Sequence, residues 1–115
     1  MSTIKSFTDI QQSRKLAEFL PLESADMLFQ LGEDKYADSI RVPLTKKHWE
    51  QMMPDINPCW SLAALLKVIS NIFKYNLDYN GISFILTVGD FEVSNIIAVD
   101  ACYEMILKLH KFNLL

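Results

Sequence analysis

Few side chains in this chain have the chemistry of a reactive centre: two cysteines, Cys59 and Cys102, and two histidines, His48 and His110. A nucleophilic thiolate needs a lowered pKa and a base, and no spacing ties either histidine to either cysteine. Both cysteines fall in the first turns of expected helices, where the helix dipole favours a thiolate, but without a base they are expected to be buried and inert. The same helix starts suggest a second chemistry. If the helix after Asn57 and the last helix each run antiparallel to the strand they adjoin, their N-termini share one end of the sheet, beside Asn80-Gly81. Their free N–H groups would then form a small anion site from Pro58, Cys59, Trp60, Asn80 and Cys102, against the opposing charge of Asp100. Lys46-Lys47-His48-Trp49 mixes charge with an aromatic ring, as nucleic-acid surfaces do, but reads as a solvated first turn with Trp49 turned inward. The chain contains no glycine-rich phosphate loop, nucleophile elbow, metal-ligand spacing or meaningful carboxylate pair. No catalytic residue, cofactor or metal is therefore expected.

The elements that would position these residues are clearest between Phe73 and Ile97. Asn80-Gly81 and Gly89-Asp90 are two-residue hairpin signals, and they predict a three-stranded antiparallel meander over about residues 73–97. Pairing Tyr79 with Ile82 and Val88 with Phe91 gathers Phe73, Tyr75, Leu77, Tyr79, Ile82, Phe84, Leu86, Val88, Phe91, Val93, Asn95 and Ile97 on one face. Only Asn95 is polar there, so this face is expected to be core, covered by two helices over about 58–71 and 98–112. Asn57 and Pro58 supply an N-cap and a first-turn proline for the former. Leu62, Leu65, Leu66, Ile69 and Phe73 form its apolar stripe, and Ala101, Cys102, Met105, Ile106 and Leu109 that of the latter.

The half before residue 57 is less regular and holds three of the four prolines. Thr8-Asp9-Ile10-Gln11 has capping-box spacing for a helix over 9–20, stopped by Pro21. Weak alternation in Met27, Phe29, Leu31 and in Ile40, Val42, Leu44 suggests a second hairpin. Thr45 is placed to cap a short helix, with Leu44 and Trp49 as its hydrophobic staple. The other face of the meander is polar except for Ile85 and Ile96, diagonal neighbours in the expected register. A three-layer α-β-α sandwich results if the N-terminal helix covers that face. We expect it to stay open instead, because Lys74, Asp78 and Glu92 share it, which makes Ile85 and Ile96 a candidate partner surface.

At 115 residues, 50% hydrophobic and 22% charged, the composition suits one α+β domain over 1–115. The net charge of −3 argues against a general affinity for nucleic acid or anionic membrane. Two widely spaced cysteines, no signal-like leader and no spanning apolar run fit a cytoplasmic protein.

Three segments carry a resemblance: Lys15–Met27 (KLAEFLPLESADM), Pro58–Leu66 (PCWSLAALL) and Val99–Ile106 (VDACYEMI). Together they resemble a family of small uncharacterised proteins from Bacteroides-type gut bacteria and their phages or mobile elements. The Trp60 helix, the hairpin and the last helix are distantly similar to phage ABA-sandwich proteins, built of helix, sheet and helix layers. The resemblance implies a non-enzymatic accessory protein of a phage or mobile element, binding a protein partner or forming a homo-oligomer. The alternative reading is a binder of a small anionic ligand or nucleotide, using the paired helix N-termini.

Overall fold

The first helix, α1 (Ile10–Ala17), starts at Asp9, whose carboxylate accepts the N–H of Gln12 while the Gln12 side chain accepts the N–H of Asp9. The capping box thus lies one residue later than the spacing from Thr8 suggested, and the helix is shorter than 9–20. Thr8 is fully buried and holds other partners. The computed structural model describes residues 5–32, 35–43 and 57–115, and only the backbone of 28–32, 35–43 and 57. The expected Thr45 helix and the Leu44–Trp49 staple lie outside the described residues.

The chain is α+β and divides into two compact units. One is Phe7–Ser61. It carries α1, a short 3₁₀ turn at Leu22–Ser24, and a three-stranded sheet ordered β2-β1-β3. Here β1 (Met27–Gly32) and β2 (Lys35–Pro43) form the expected second hairpin, with a register break between Gln30 and Gly32. The third strand, β3 (Asn57–Cys59), corrects the sequence reading. Asn57, Pro58 and Cys59 do not start a helix; they are extended and pair antiparallel with Phe29, Leu28 and Met27. A proline is tolerated on such an edge strand, and the ladder to β1 outweighs the local N-cap signal. α1 packs against β3, and Ile10 and Cys59 form a buried contact that Met27 extends.

The other unit comprises Leu62–Leu115 and the segment ending at Ser6. Its first helix, α2 (Leu62–Ser70), begins later than the expected residue 58 and buries Leu65, Val68 and Ile69. The meander follows as β4 (Asn76–Tyr79), β5 (Phe84–Val88) and β6 (Phe91–Asn95), ordered β4-β5-β6, and then α3 (Ala98–Lys111). The second turn is as expected: Val88 faces Phe91 around Gly89-Asp90, with Gly89 at φ +58°. The first is displaced by one residue. Tyr79 pairs with Phe84, not Ile82, and the Asn80 N–H donates to the Ser83 carbonyl, so Gly81 and Ile82 are the central turn residues. The Asn80 side chain causes this by accepting the N–H groups of Ile82 and Ser83, which makes Asn80 the first residue of the turn. Gly81, at φ +93°, takes the position that tolerates it. Since both partner assignments have the same parity, the two faces of the sheet remain as read from the sequence.

The covering of the apolar face differs from expectation. α3 lies on β5 and β6, whereas α2 packs against α3. Leu86 and Val88 are buried beneath the helix, but Tyr75, Tyr79 and Ile82, expected in the core, are 39%, 58% and 75% exposed. The β4 margin of the sheet is therefore exposed at Tyr79, whose ring meets that of Phe84 at 4.7 Å. Along α3 the expected stripe of Ala101, Cys102, Met105, Ile106 and Leu109 is buried, joined by Val99. Asn95, the lone polar residue of the core face, accepts the Ile97 N–H at the entry to α3.

Candidate functional site

Among the described residues, the densest set of polar side-chain contacts surrounds Trp60, just past β3. Its indole and backbone are fully buried. The Trp60 N–H donates to Thr8 Oγ1 at 3.0 Å, and the Thr8 N–H donates back to the Trp60 carbonyl at 2.9 Å. Thr8 Oγ1 and Ser13 Oγ are hydrogen-bonded at 2.7 Å, so each buried hydroxyl has the other as a partner. The indole Nε1–H donates to Ser24 Oγ at 3.0 Å, and Ser24 Oγ donates to the Pro21 carbonyl. Next in the chain, Ser61 donates its N–H and its hydroxyl to the two oxygens of Asp26.

The sequence reading missed Thr8, Ser13, Ser24, Asp26 and Ser61 as a group, because their partners lie far away in the chain. One signal was present: Ser24 and Asp26 belong to one recognisable segment, Trp60 and Ser61 to another, and the fold joins them pairwise. The third segment supplies the buried stripe of α3. Two of these segments are thus joined within the Phe7–Ser61 unit, and the third supplies buried residues of the other unit. The Ser61 hydroxyl thus spends its proton on the Asp26 carboxylate, which ties the two segments together.

The residues of the expected anion site are distributed as follows. Pro58 and Cys59 lie in extended β3 and not in a helical first turn, so no helix N-terminus stands at their positions to supply free N–H groups. Trp60 is enclosed by the hydrogen bonds above. Asn80 spends its amide oxygen on the β4–β5 turn. Cys102 lies inside α3, fully buried. At the start of α3, Asp100 complements the helix dipole and pairs with Lys5 Nζ at 2.7 Å, joining the segment ending at Ser6 to the helix.

Neither cysteine is in a disulfide, and both are fully buried. Burial pushes the Cys102 thiol from its ordinary range up to about 12. The folded protein thus keeps a proton that the unfolded chain releases above about pH 8.5. This contribution to stability is complete below that pH and is lost as pH rises toward the folded value. Urea melts of wild type and Cys102→Ala over this alkaline range are expected to show a steeper loss for wild type. Both thiols should react slowly with a thiol reagent in the native protein and quickly once it is unfolded. Fast native labelling of either would restore the nucleophile reading.

Among the described residues no cluster of three or more His, Cys, Asp or Glu is arranged to hold a metal ion, and no helix is long and apolar enough to cross a membrane. The expected partner surface is split in exposure: Ile85, opposite Ser94 on β5, is half-buried, whereas Ile96, just past β6, is 68% exposed. Ile82 and Tyr79 lie at the same end of the sheet. Comparison with family models, with curated proteins and with solved structures gives no match.

Proposed function

We propose that this chain is a non-enzymatic accessory protein of a phage or mobile element that binds a protein partner or self-associates through the second unit. The observation that carries this reading is the concentration of exposed apolar side chains at one end of its sheet. Tyr79, Ile82 and Ile96 are 58%, 75% and 68% exposed at the turn end of the sheet, with Ile96 and half-buried Ile85 on the face opposite Tyr79. Large apolar side chains left open at one end of a sheet support an interaction site there. The resemblance of the three segments supports the phage or mobile-element setting.

Ile96→Lys is expected to change stability by no more than about 0.5 kcal/mol, as for a surface substitution, while weakening self-association or partner capture. Ile85→Lys, at a half-buried site, should weaken association with a somewhat larger stability loss. Unchanged association in both variants would remove this surface from the proposal. A thermal-shift series with phosphate and nucleotides tests the alternative, because a ligand at 100 times its Kd adds about 2.7 kcal/mol of stability.

A further inference from the structure

We infer that β4 is a self-pairing edge: two copies of this chain join β4 to β4 antiparallel about Asn76, making one continuous sheet ordered β6-β5-β4-β4-β5-β6. The inference rests on the self-association form of the proposed function and specifies its geometry.

Three observations converge on this register. The first is the unused main chain of β4. The Asn80–Ser83 bond closes the β4–β5 turn, and bonded pairs alternate along an antiparallel ladder. Asp78 and Asn76, opposite Ile85 and Thr87, therefore direct their N–H and C=O groups to β5. Those of Leu77 and Tyr79 point away from it, and no described strand pairs with that edge.

The second is charge. Centring the pairing on Asn76 places Tyr75 opposite Leu77 of the second copy, the pair that exchanges main-chain hydrogen bonds. It also places Lys74 opposite Asp78 of the second copy, and two-fold symmetry repeats this contact. Both side chains are exposed; Lys74 lies two residues ahead of β4, and the pairing continues the extended run back through Tyr75 to Lys74, which sets Lys74 on the same face as Asp78. Moving the centre to Tyr75 or Leu77 keeps the hydrogen-bond pattern but sets Lys74 against Asn76 or Asn80. Only the Asn76 centre matches both charges with their opposites. Charged edges ordinarily prevent promiscuous strand pairing, whereas these charges admit a second copy of the same edge in one register.

The third is the position of α3. It packs on β5 and β6, and beside it Tyr79 of β4 and the preceding Tyr75 are exposed. Residues directly opposite in an antiparallel pair point to the same face, so both copies of α3 lie on one side, separated by the β4 margins. The exposed tyrosines then border the seam.

Sedimentation of the full chain across the micromolar range at low salt tests this. Wild type is expected to dimerise, and added salt to weaken the dimer. Lys74→Asp and Asp78→Lys, each confirmed as folded by its melt, should each weaken it about tenfold or more, because like charges then face each other twice. The double variant should recover the dimer. Mixing the two single variants should give a heterodimer, since each supplies the charges the other needs, and this outcome also shows that both are folded. A wild type that stays monomeric overturns the inference. A dimer indifferent to the charge changes but lost in Ile96→Lys also overturns it, while leaving the proposed function standing on the turn end of the sheet.

Discussion

Trp60→Ala is expected to destabilise the protein by about 3 to 5 kcal/mol, the range for truncating a large buried aromatic residue. The indole is the largest fully buried side chain in the described set. Its removal leaves a cavity and also takes the indole N–H from Ser24 Oγ. The backbone bonds to Thr8 do not depend on the side chain, so the ladder can persist around the cavity. Two further variants separate the contributions. Trp60→Phe keeps much of the apolar volume but loses the N–H, and Ser24→Ala loses only the acceptor, at about 1 kcal/mol. Urea melts should rank them Trp60→Ala, Trp60→Phe, Ser24→Ala in decreasing cost. Near-neutral Trp60→Ala would show that the ring is not enclosed, and the tie between the two segments would lose its basis. The expected loss is a large fraction of the about 5 to 15 kcal/mol that holds a typical domain together.

In the second unit the largest effect is expected from Leu86→Ala, at about 2 to 5 kcal/mol. Leu86 is fully buried at the centre of β5, between Leu77 and Val93 on the flanking strands and on the face covered by α3. Phe84, two residues earlier on the same face, is only half-buried and rests against exposed Tyr79. Phe84→Ala should therefore cost less than Leu86→Ala, despite removing the larger side chain. The opposite ranking in denaturant melts would place the centre of the core nearer the β4–β5 turn.

These residues also show where sequence was a sufficient guide. The Gly89-Asp90 turn and the alternation through β5 and β6 were legible because a two-residue loop fixes register locally. The displacement at Asn80 was not, because it depends on a side-chain oxygen competing for main-chain N–H groups. Face assignment survived because the displaced register kept the same parity. Pro58 misled for another reason. Asn-Pro is a sound local signal for a helix start, but its competitor was β1, about thirty residues earlier in the chain, and pairing of that range leaves no local pattern. The α3 stripe was legible as a period, whereas its sideways placement over β5 and β6, which exposes Tyr75 and Tyr79, is a matter of packing. Of the anion site, the residues now known to be extended or already bonded could not have been recognised as such without the fold. Of the proposed partner surface only Ile85 and Ile96 were visible, because the exposure of Ile82 and Tyr79 depends on where α3 comes to rest.

The bond between Lys5 and Asp100 joins residues 95 positions apart, and the Leu62 N–H also donates to the Ser6 carbonyl at 3.2 Å. Between Ser6 and Leu62 the chain builds the whole Phe7–Ser61 unit, including its own Phe7–Ser61 bridge. Order of synthesis therefore runs against order of completion. As the chain leaves the ribosome, everything needed for Phe7–Ser61 emerges first and can fold as a unit. Lys5, made before any of it, must wait for α3, made after all of it. Once the Phe7–Ser61 unit has folded, its bridge holds Ser6 near Leu62, so only the stretch from Leu62 to Asp100 remains to be closed, and that waits on α3. The second unit is thus expected to be the last to reach its native state, with the segment ending at Ser6 docking as the final step.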